Sequence, residues 1–302
     1  MKELYTFTVF TPTFNRASSL PMVFASLKAQ TFQDFEWLIV DDGSTDATEF
    51  LVRQWQDDSP FPIRYFRQNN GGKHRAMNHG AREAKGMLFL TLDSDDCCLP
   101  CALQRLWIHW QGIPESKRSG FSAVTALCGD SQGRVIGDSF PKDIFDSDTI
   151  SCRDRYGIQG DKWGFQRTDV LREFPFPEIP GERYIAQSVV WNRIARKYQT
   201  RFINEILKTV EYRKDGLSTS SARLRVRNPI GAKLYYAEHL QVAATPRAKM
   251  KAAINYIRFS LHGHMSLREI ITGAGAPCYV LGCFVVGILA YCHDRIQLRN
   301  RP

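Results

Sequence analysis

The sequence predicts an α/β protein: a mostly parallel, doubly wound sheet flanked by helices, followed by a helical extension. Two observations carry this. Four short apolar runs in the first hundred residues alternate with helical patterns, the order that builds a parallel sheet. The last eighty residues then change character and become basic and helical. A chain of 302 residues can bury a sizeable core, and 43% hydrophobic with 24% charged residues is ordinary for a globular protein.

The first strand is expected over 7–11, directly after Met1-Lys2-Glu3, with no secretion signal ahead of it. A helix opened by Ser18, Ser19 and Pro21 follows and ends near Gln30. The second strand is Trp37-Leu38-Ile39-Val40, and Thr45 or Asp46 can cap a helix reaching about Gln56. The third strand spans 63–66. A Gly71-Gly72 loop leads into a helix over roughly 74–85, and the fourth strand is Met87-Leu88-Phe89-Leu90. A helix over about 99–110 comes next. Apolar runs at 121–128 and 134–136, separated by Gly129-Asp130-Ser131-Gln132-Gly133, read as a hairpin. Residues 138–160 read as an irregular mobile loop, 174–182 as a rigid Pro-rich segment, and 184–197 as a helix. Strands over 201–203 and 207–212 and a linker over 216–221 close the front part.

The strand ends carry the chemistry, because in open α/β sheets ligands bind at the carboxyl ends of strands. The fourth strand runs into Asp93-Ser94-Asp95-Asp96. Crowded carboxylates stay ionised only beside a cation, and a hard divalent metal suits oxygen ligands on one rigid strand end. An acidic turn capping the next helix is the alternative. The first strand ends in Pro12-Thr13-Phe14-Asn15-Arg16, an aromatic face and polar groups suited to stacking on and hydrogen-bonding a nucleobase. The second ends in Asp41-Asp42, which can accept a proton from a ring N–H or a ribose hydroxyl. Gly71-Gly72-Lys73-His74-Arg75 offers backbone and cations to a pyrophosphate but lacks the P-loop spacing.

Charge divides the chain at 221/222. Residues 1–221 are neutral, whereas 222–302 hold 12 Lys and Arg against Glu238, Glu269 and Asp294, which accounts for the whole net charge of +9. Such asymmetry points to an anionic surface. Within the extension, basic helical stretches over about 222–240 and 246–261 precede 270–292, which has no formal charge. The five glycines and prolines there make it a weak spanning helix; it reads as an interfacial anchor, or else as a docked helix. The eight cysteines follow neither a disulfide nor a zinc pattern, as in a reduced, cytosolic protein.

Taken in order, Pro12-Thr13-Phe14-Asn15-Arg16, Val40-Asp41-Asp42-Gly43-Ser44-Thr45-Asp46, Gly71-Gly72-Lys73-His74, Asn78 and Leu92-Asp93-Ser94-Asp95-Asp96 resemble family 2 glycosyltransferases of the GT-A fold, over roughly residues 5–215. The likeness is to bacterial members that build capsule, exopolysaccharide or O-antigen lipopolysaccharide. It implies a Rossmann-like mixed, mostly parallel sheet and an inverting transfer of one sugar from a nucleoside diphosphate donor, a UDP-sugar, to a saccharide or lipid-linked acceptor. Pro12, Thr13, Phe14, Asn15, Arg16, Asp41, Asp42, Lys73, Asn78, Asp93 and Ser94 would then bind the donor nucleotide. Asp42 would hydrogen-bond the uracil, and Asp93 and Asp95 would hold Mg²⁺ or Mn²⁺, Asp95 directly. The family's general base is commonly in a Glu-Asp pair before a helix. Gly181-Glu182-Arg183 stands there, so Glu182 is the implied base, with Glu178 and Asp161 as alternatives. Trp191-Asn192-Arg193 does not match the Gln-x-x-Arg-Trp of processive synthases, which implies single-sugar addition. The expected location is cytoplasmic, peripheral to the inner face of the cell membrane.

Two rivals fit less of the chain. A sugar-nucleotide nucleotidyltransferase needs a Gly-rich, Arg-containing phosphate loop after the first strand, and 11–16 lacks one. A non-enzymatic nucleic-acid binder suits the basic tail, but no nucleic-acid module is present and the cations lie beside a long apolar segment.

Overall fold

The computed structural model describes residues 3–210 and 221–299. Compactness divides the chain differently from charge. One unit comprises the chain up to Thr149, Ile158–Phe176 and the strand following Lys197; the other comprises Ile150–Gly157, Pro177–Arg196 and the helices from Ser221 on.

In the first unit, β1 (Tyr5–Thr13), β2 (Phe35–Asp41), β3 (Ile63–Arg67) and β4 (Gly86–Thr91) are parallel, connected by α1 (Leu20–Lys28), α2 (Thr48–Asp58) and α3 (Lys73–Glu83). This is the predicted alternation. β2 is buried along its whole length, as a strand covered on both faces requires. Trp37 packs under the helices, with Phe24 stacked on it and on Trp55 at centroid distances of 5.9 and 4.7 Å. The chain continues through β5 (Cys97–Cys98), α4 (Ala102–Gln111), α5 (Glu115–Arg118), β6 (Phe121–Gly129), β7 (Ile144–Ser147), α6 (Thr149–Asp154), β8 (Lys162–Arg167), α7 (Thr168–Glu173), α8 (Ser188–Ala195) and β9 (Gln199–Thr209), of which α6, from Ile150, and α8 belong to the second unit. The sheet order is β3-β2-β1-β4-β8-β6-β9-β5, with β7 on β9. β8 runs antiparallel to β4 and β6, so the sheet is mixed.

Four local expectations change. The hairpin after 121 forms its turn, where Asp130 N donates to Arg134 O at 2.9 Å, but its second arm is one bridge, Gly129 to Val135. β6 instead lies inside the sheet, between β8 and a parallel β9. The expected mobile loop at 138–160 carries β7 and α6, because its polar residues are used: Asp146 pairs with Arg201 at 2.8 and 2.9 Å, and the Asn204 amide brackets Phe140 at 2.8 and 2.9 Å. The strands at 201–203 and 207–212 are one strand, β9, whose register against β6 shifts at irregularities; residues 211 and 212 lie outside the described residues. The helix expected over 184–197 shortens to α8, since Asn228 Oδ1 accepts from Arg183 N and Tyr184 N at 2.8 and 3.2 Å and ties that backbone down.

The second unit adds α9 (Ser221–Arg227), α10 (Pro229–Val242), α11 (Pro246–His262), α12 (Leu267–Gly273), α13 (Pro277–Gly282) and α14 (Phe284–Arg299). The linker expected over 216–221 falls outside the described residues except for Ser221, which opens α9. The uncharged stretch 270–292 divides among three helices rather than forming one, the first break falling where Gly275 and Pro277 stand. No helix among the described residues is long and apolar enough to cross a membrane. Tyr256, Ile257, Ile270 and Val280 form the local core. Gly287 sets α14 against α11: a Cβ there would lie 2.6 Å from Ile257 Cγ2. Arg258 and His262 secure the same contact through Asp294.

Within this unit His239 is buried beside Arg153, with Arg153 Nη2 3.2 Å from its Nδ1. Burial, reinforced by the Arg153 charge, pushes the His239 pKa down to about 4. Between pH 6.5 and 4 the unfolded chain therefore binds a proton there that the folded chain does not, so stability falls as pH falls. At pH 5 this costs roughly 2 kcal/mol relative to pH 7. Chemical denaturation at the two pH values measures it, and His239→Gln is expected to remove most of the difference.

Candidate functional site

The carboxyl ends of β1, β2, β3 and β4 bring the candidate residues of the first unit to one edge of the sheet. Phe14, just past β1, exposes 46% of its surface, a ring face available for stacking. Thr13 is buried, and its Oγ1 has no hydrogen-bond partner among the described residues. Asn15 adopts the left-handed conformation (φ 52°) and ties two strand ends together: its N donates to Ser44 Oγ at 2.8 Å, and its Oδ1 accepts from Thr45 N at 2.8 Å. Arg16 N lies 3.4 Å from Thr48 Oγ1.

Asp41 is fully buried and holds Ser44 N at 2.7 Å and Tyr65 OH at 2.6 Å, which places it under the loop. Asp42 accepts from Gln68 Nε2 at 2.8 Å, Gly71 N at 2.9 Å and Gly72 N at 2.7 Å. It therefore sets the course of the Gly-Gly loop, which Gly72 (φ 95°) turns into α3. An open cleft of about 630 Å³, lined by Gly43, Arg67, Gln68, Asn69 and Asn70, lies beside these residues. That volume suits a small-molecule ligand.

The acidic cluster follows β4. Asp93 is engaged by Lys73, the first residue of α3, whose Nζ lies 2.6 and 2.7 Å from its two carboxylate oxygens. Burial raises the Asp93 pKa, but the charges of Lys73 and then Lys208 outweigh it and hold the carboxyl below its usual range. Asp96 is paired with Lys208, at 2.5 Å, and both side chains are nearly buried. Burial pushes Asp96 up to about 6 against the pull of Lys208, with Asp93 and Asp95 adding to the rise. Burial lowers the Lys208 pKa, but the carboxylates outweigh it and keep the ammonium charged. Asp95 is half-buried and has neither hydrogen bond nor ion pair among the described residues. Among the described residues three carboxylates thus meet two ammoniums, and the charge left over rests on Asp95. No group of three His, Cys, Asp or Glu among the described residues could hold a metal. A divalent ion would draw on the Asp93–Asp95 pair and complete its shell with water and substrate phosphate, a coordination that Mg²⁺ accepts readily.

The remaining candidates have structural partners. The Ser94 carbonyl accepts from Ser19 Oγ at 2.7 Å. The Asn78 amide brackets Phe176, donating to its O at 2.9 Å and accepting from its N at 2.8 Å. Glu182 lies in the second unit, where it accepts from Ile230 N and Gly231 N, both at 2.6 Å, at the start of α10. This is the helix-capping contact that a carboxylate makes at a positive helix end. Lys208 and Arg67 were not singled out from sequence. Arg67 ends β3, so the rule that found the other strand ends extends to it.

Residues 8–116 match the family model Glycosyl transferase family 2. Over 99 residues the chain is 38% identical to an uncharacterized glycosyltransferase of Nostoc sp., covering 33% of this chain and 31% of that one. Over 101 residues it is 37% identical to the Campylobacter jejuni GalNAc(5)-diNAcBac-PP-undecaprenol beta-1,3-glucosyltransferase, covering 33% and 32%. The matched region is thus about a third of these relatives' length. Staphylococcus aureus TarS 1–349, solved with UDP-GlcNAc, superposes with TM-score 0.62 at 16% identity, over 99% of this chain and 92% of that one. The Pyrobaculum calidifontis mannosyltransferase solved with GDP-Man and Mn²⁺ superposes with TM-score 0.56 at 18% identity, over 96% and 88%. These likenesses are of fold: a GT-A-like mixed sheet flanked by helices, with a C-terminal helical region.

Proposed function

We propose that this chain is an inverting glycosyltransferase. It moves one sugar from a UDP-sugar to a saccharide acceptor carried on a lipid, in the synthesis of a bacterial surface polysaccharide. The observation that carries the reading is the cluster after β4, where Asp95, among the described residues, has no cation of its own beside the paired Asp93 and Asp96. The family match over residues 8–116 and the donors seen with TarS and the mannosyltransferase support it. The lipid-linked acceptor follows the named substrate of the Campylobacter relative.

In this reading Phe14 stacks on the uracil, and Thr13 Oγ1, without a partner among the described residues, gains one from the nucleoside. Asp42 has lone pairs left for the nucleobase beyond its three present donors. Lys73 meets the diphosphate. Asp95, with Asp93, holds Mg²⁺ or Mn²⁺, which when bound neutralises the charge developing on the leaving diphosphate. Inversion also needs a base at the acceptor hydroxyl. Glu182 is the first carboxylate to test, its two backbone contacts fixing its orientation.

Glu182→Gln is expected to lower kcat by roughly 10²-fold or more with UDP affinity unchanged. A carboxamide can accept only one of the two N–H bonds, so the variant also loses about 2 kcal/mol of stability. Full turnover in a variant that melts early would leave Glu182 a capping residue and move the base to Glu178 or Asp161.

Peripheral membrane binding is assigned to the basic extension. Leu281, Val285, Val286, Leu289 and Ile296 are 58, 70, 50, 62 and 58% exposed, an apolar surface along α13 and α14. The protein is expected to sediment with vesicles containing phosphatidylglycerol, less so in high salt or as Val285→Asp/Leu289→Asp. Protein left wholly in the supernatant would end this assignment.

Calorimetric titration of UDP with and without Mn²⁺ tests the central reading. Metal-dependent binding supports it, and no binding to folded protein under either condition removes the UDP assignment.

A further inference from the structure

Lys73 and Asp93 are paired more tightly than a lysine that merely awaits a phosphate requires. The ammonium reaches both oxygens of one carboxylate, at 2.6 and 2.7 Å, and the two side chains are 25 and 36% exposed. Its backbone is fixed: Gly72, directly before it, donates its N–H to Asp42 at 2.7 Å, and Lys73 opens α3. The side chain beyond is a flexible four-carbon stem, free to exchange one anionic partner for another. Lys208 cannot serve in this way, since it is 10% exposed and committed to Asp96 at 2.5 Å.

We propose that Lys73 occupies the cation position of Asp93 until a nucleoside diphosphate arrives, and so makes metal binding contingent on the nucleotide. This rests on the glycosyltransferase reading. A divalent ion arriving alone finds one carboxylate that has no partner among the described residues, Asp95, and beside it an ammonium that repels it. The diphosphate changes both conditions. It supplies oxygen ligands to the metal and a new anionic partner to Lys73. Lys73 moves from Asp93 to the phosphates, and Asp93 becomes available to the metal or its bound water. No proton is transferred; two ion pairs are exchanged for others. Metal and nucleotide therefore bind with positive coupling, and by reciprocity each tightens the other by the same factor.

The test is Mn²⁺ affinity, measured by electron paramagnetic resonance of the free ion on the full chain, with and without UDP. The wild type is expected to bind Mn²⁺ at least about tenfold more tightly with UDP present. Lys73→Met is expected to bind Mn²⁺ alone about tenfold more tightly than wild type, and to gain less than about threefold from UDP. Lys73→Arg keeps the charge and the bidentate reach and is expected to resemble the wild type. A Lys73→Met variant with wild-type Mn²⁺ affinity in the absence of UDP overturns the proposal, as does a Lys73→Arg variant behaving like Lys73→Met. A wild type in which Mn²⁺ and UDP bind without affecting one another also overturns it. A wild type that binds no Mn²⁺ with UDP present overturns the glycosyltransferase reading beneath it.

Discussion

Asp95→Ala is expected to reduce sugar transfer by about 10³-fold or more while leaving the melting temperature nearly unchanged. The two halves of this result have separate causes. Asp95 makes no hydrogen bond or ion pair among the described residues, so the folded state loses little when its carboxylate is removed. Truncation even relieves repulsion, because Asp95 helps to raise the pKa of Asp96. Catalysis in the proposed site depends on a divalent charge at the leaving diphosphate, a contribution of several kcal/mol, and each 1.36 kcal/mol is tenfold in rate. Release of UDP from a UDP-sugar, followed with and without Mn²⁺, measures the rate. Metal dependence of UDP binding should vanish in the same variant. A variant as active as the wild type would remove Asp95 from the metal site.

The largest stability effect is expected at Lys208, away from the substrate. Asp96 is 9% exposed at its side chain and Lys208 10%. Lys208→Met leaves a buried carboxylate without its cation, next to Asp93 and Asp95, and is expected to cost about 3–5 kcal/mol. The loss has a characteristic pH dependence. Asp96 already sits at about 6 with Lys208 present. Without Lys208 the carboxyl rises further, so the folded chain holds a proton that the unfolded chain releases. The folded state binding the extra proton means that stability falls as pH rises from the ordinary carboxylate range, near 4, up to that raised value, and levels off above it. Lys208→Met/Asp96→Asn is expected to recover most of the loss, with a coupling energy of about 2 kcal/mol or more in a double-mutant cycle. Denaturation at pH 5 and pH 8 of the two single variants and the double variant provides the comparison.

The parallel half of the sheet and the strand-end chemistry were legible because their signals are local. An apolar run such as Met87-Leu88-Phe89-Leu90 followed by Asp93-Ser94-Asp95-Asp96 states both a buried strand and the polar group at its end. The same adjacency put Phe14 and Asp41-Asp42 at the ends of their strands, where they lie. The antiparallel half was not legible in this way. β6 pairs with strands that begin about forty and eighty residues later, and no turn signal connects them. A turn that forms at 130–133 drew the hairpin reading, although the partner strand lies elsewhere. Lys208 is 112 residues from the Asp96 it neutralises, a distance no motif spans. Asn78 and Glu182 show a different difficulty. A carboxamide or carboxylate near a site can serve a ligand or a neighbouring backbone, and only the contacts at Phe176 and at the start of α10 reveal the backbone use.

The position of β9 also dictates when the site can be finished. This strand pairs with β6 along its whole length, with β7 over its first half and with β5 through its last two residues, so a late segment of the chain holds three earlier strands. On the ribosome, β1 to β4 and the aspartates emerge more than a hundred residues ahead of Lys208. Until β9 docks, Asp96 has no ammonium beside it and the carboxylates repel one another. Closing that long loop is entropically slow relative to the local βα units. Nascent chains released before residue 208 therefore contain every motif of the proposed donor site and lack the charge balance that lets those motifs sit together.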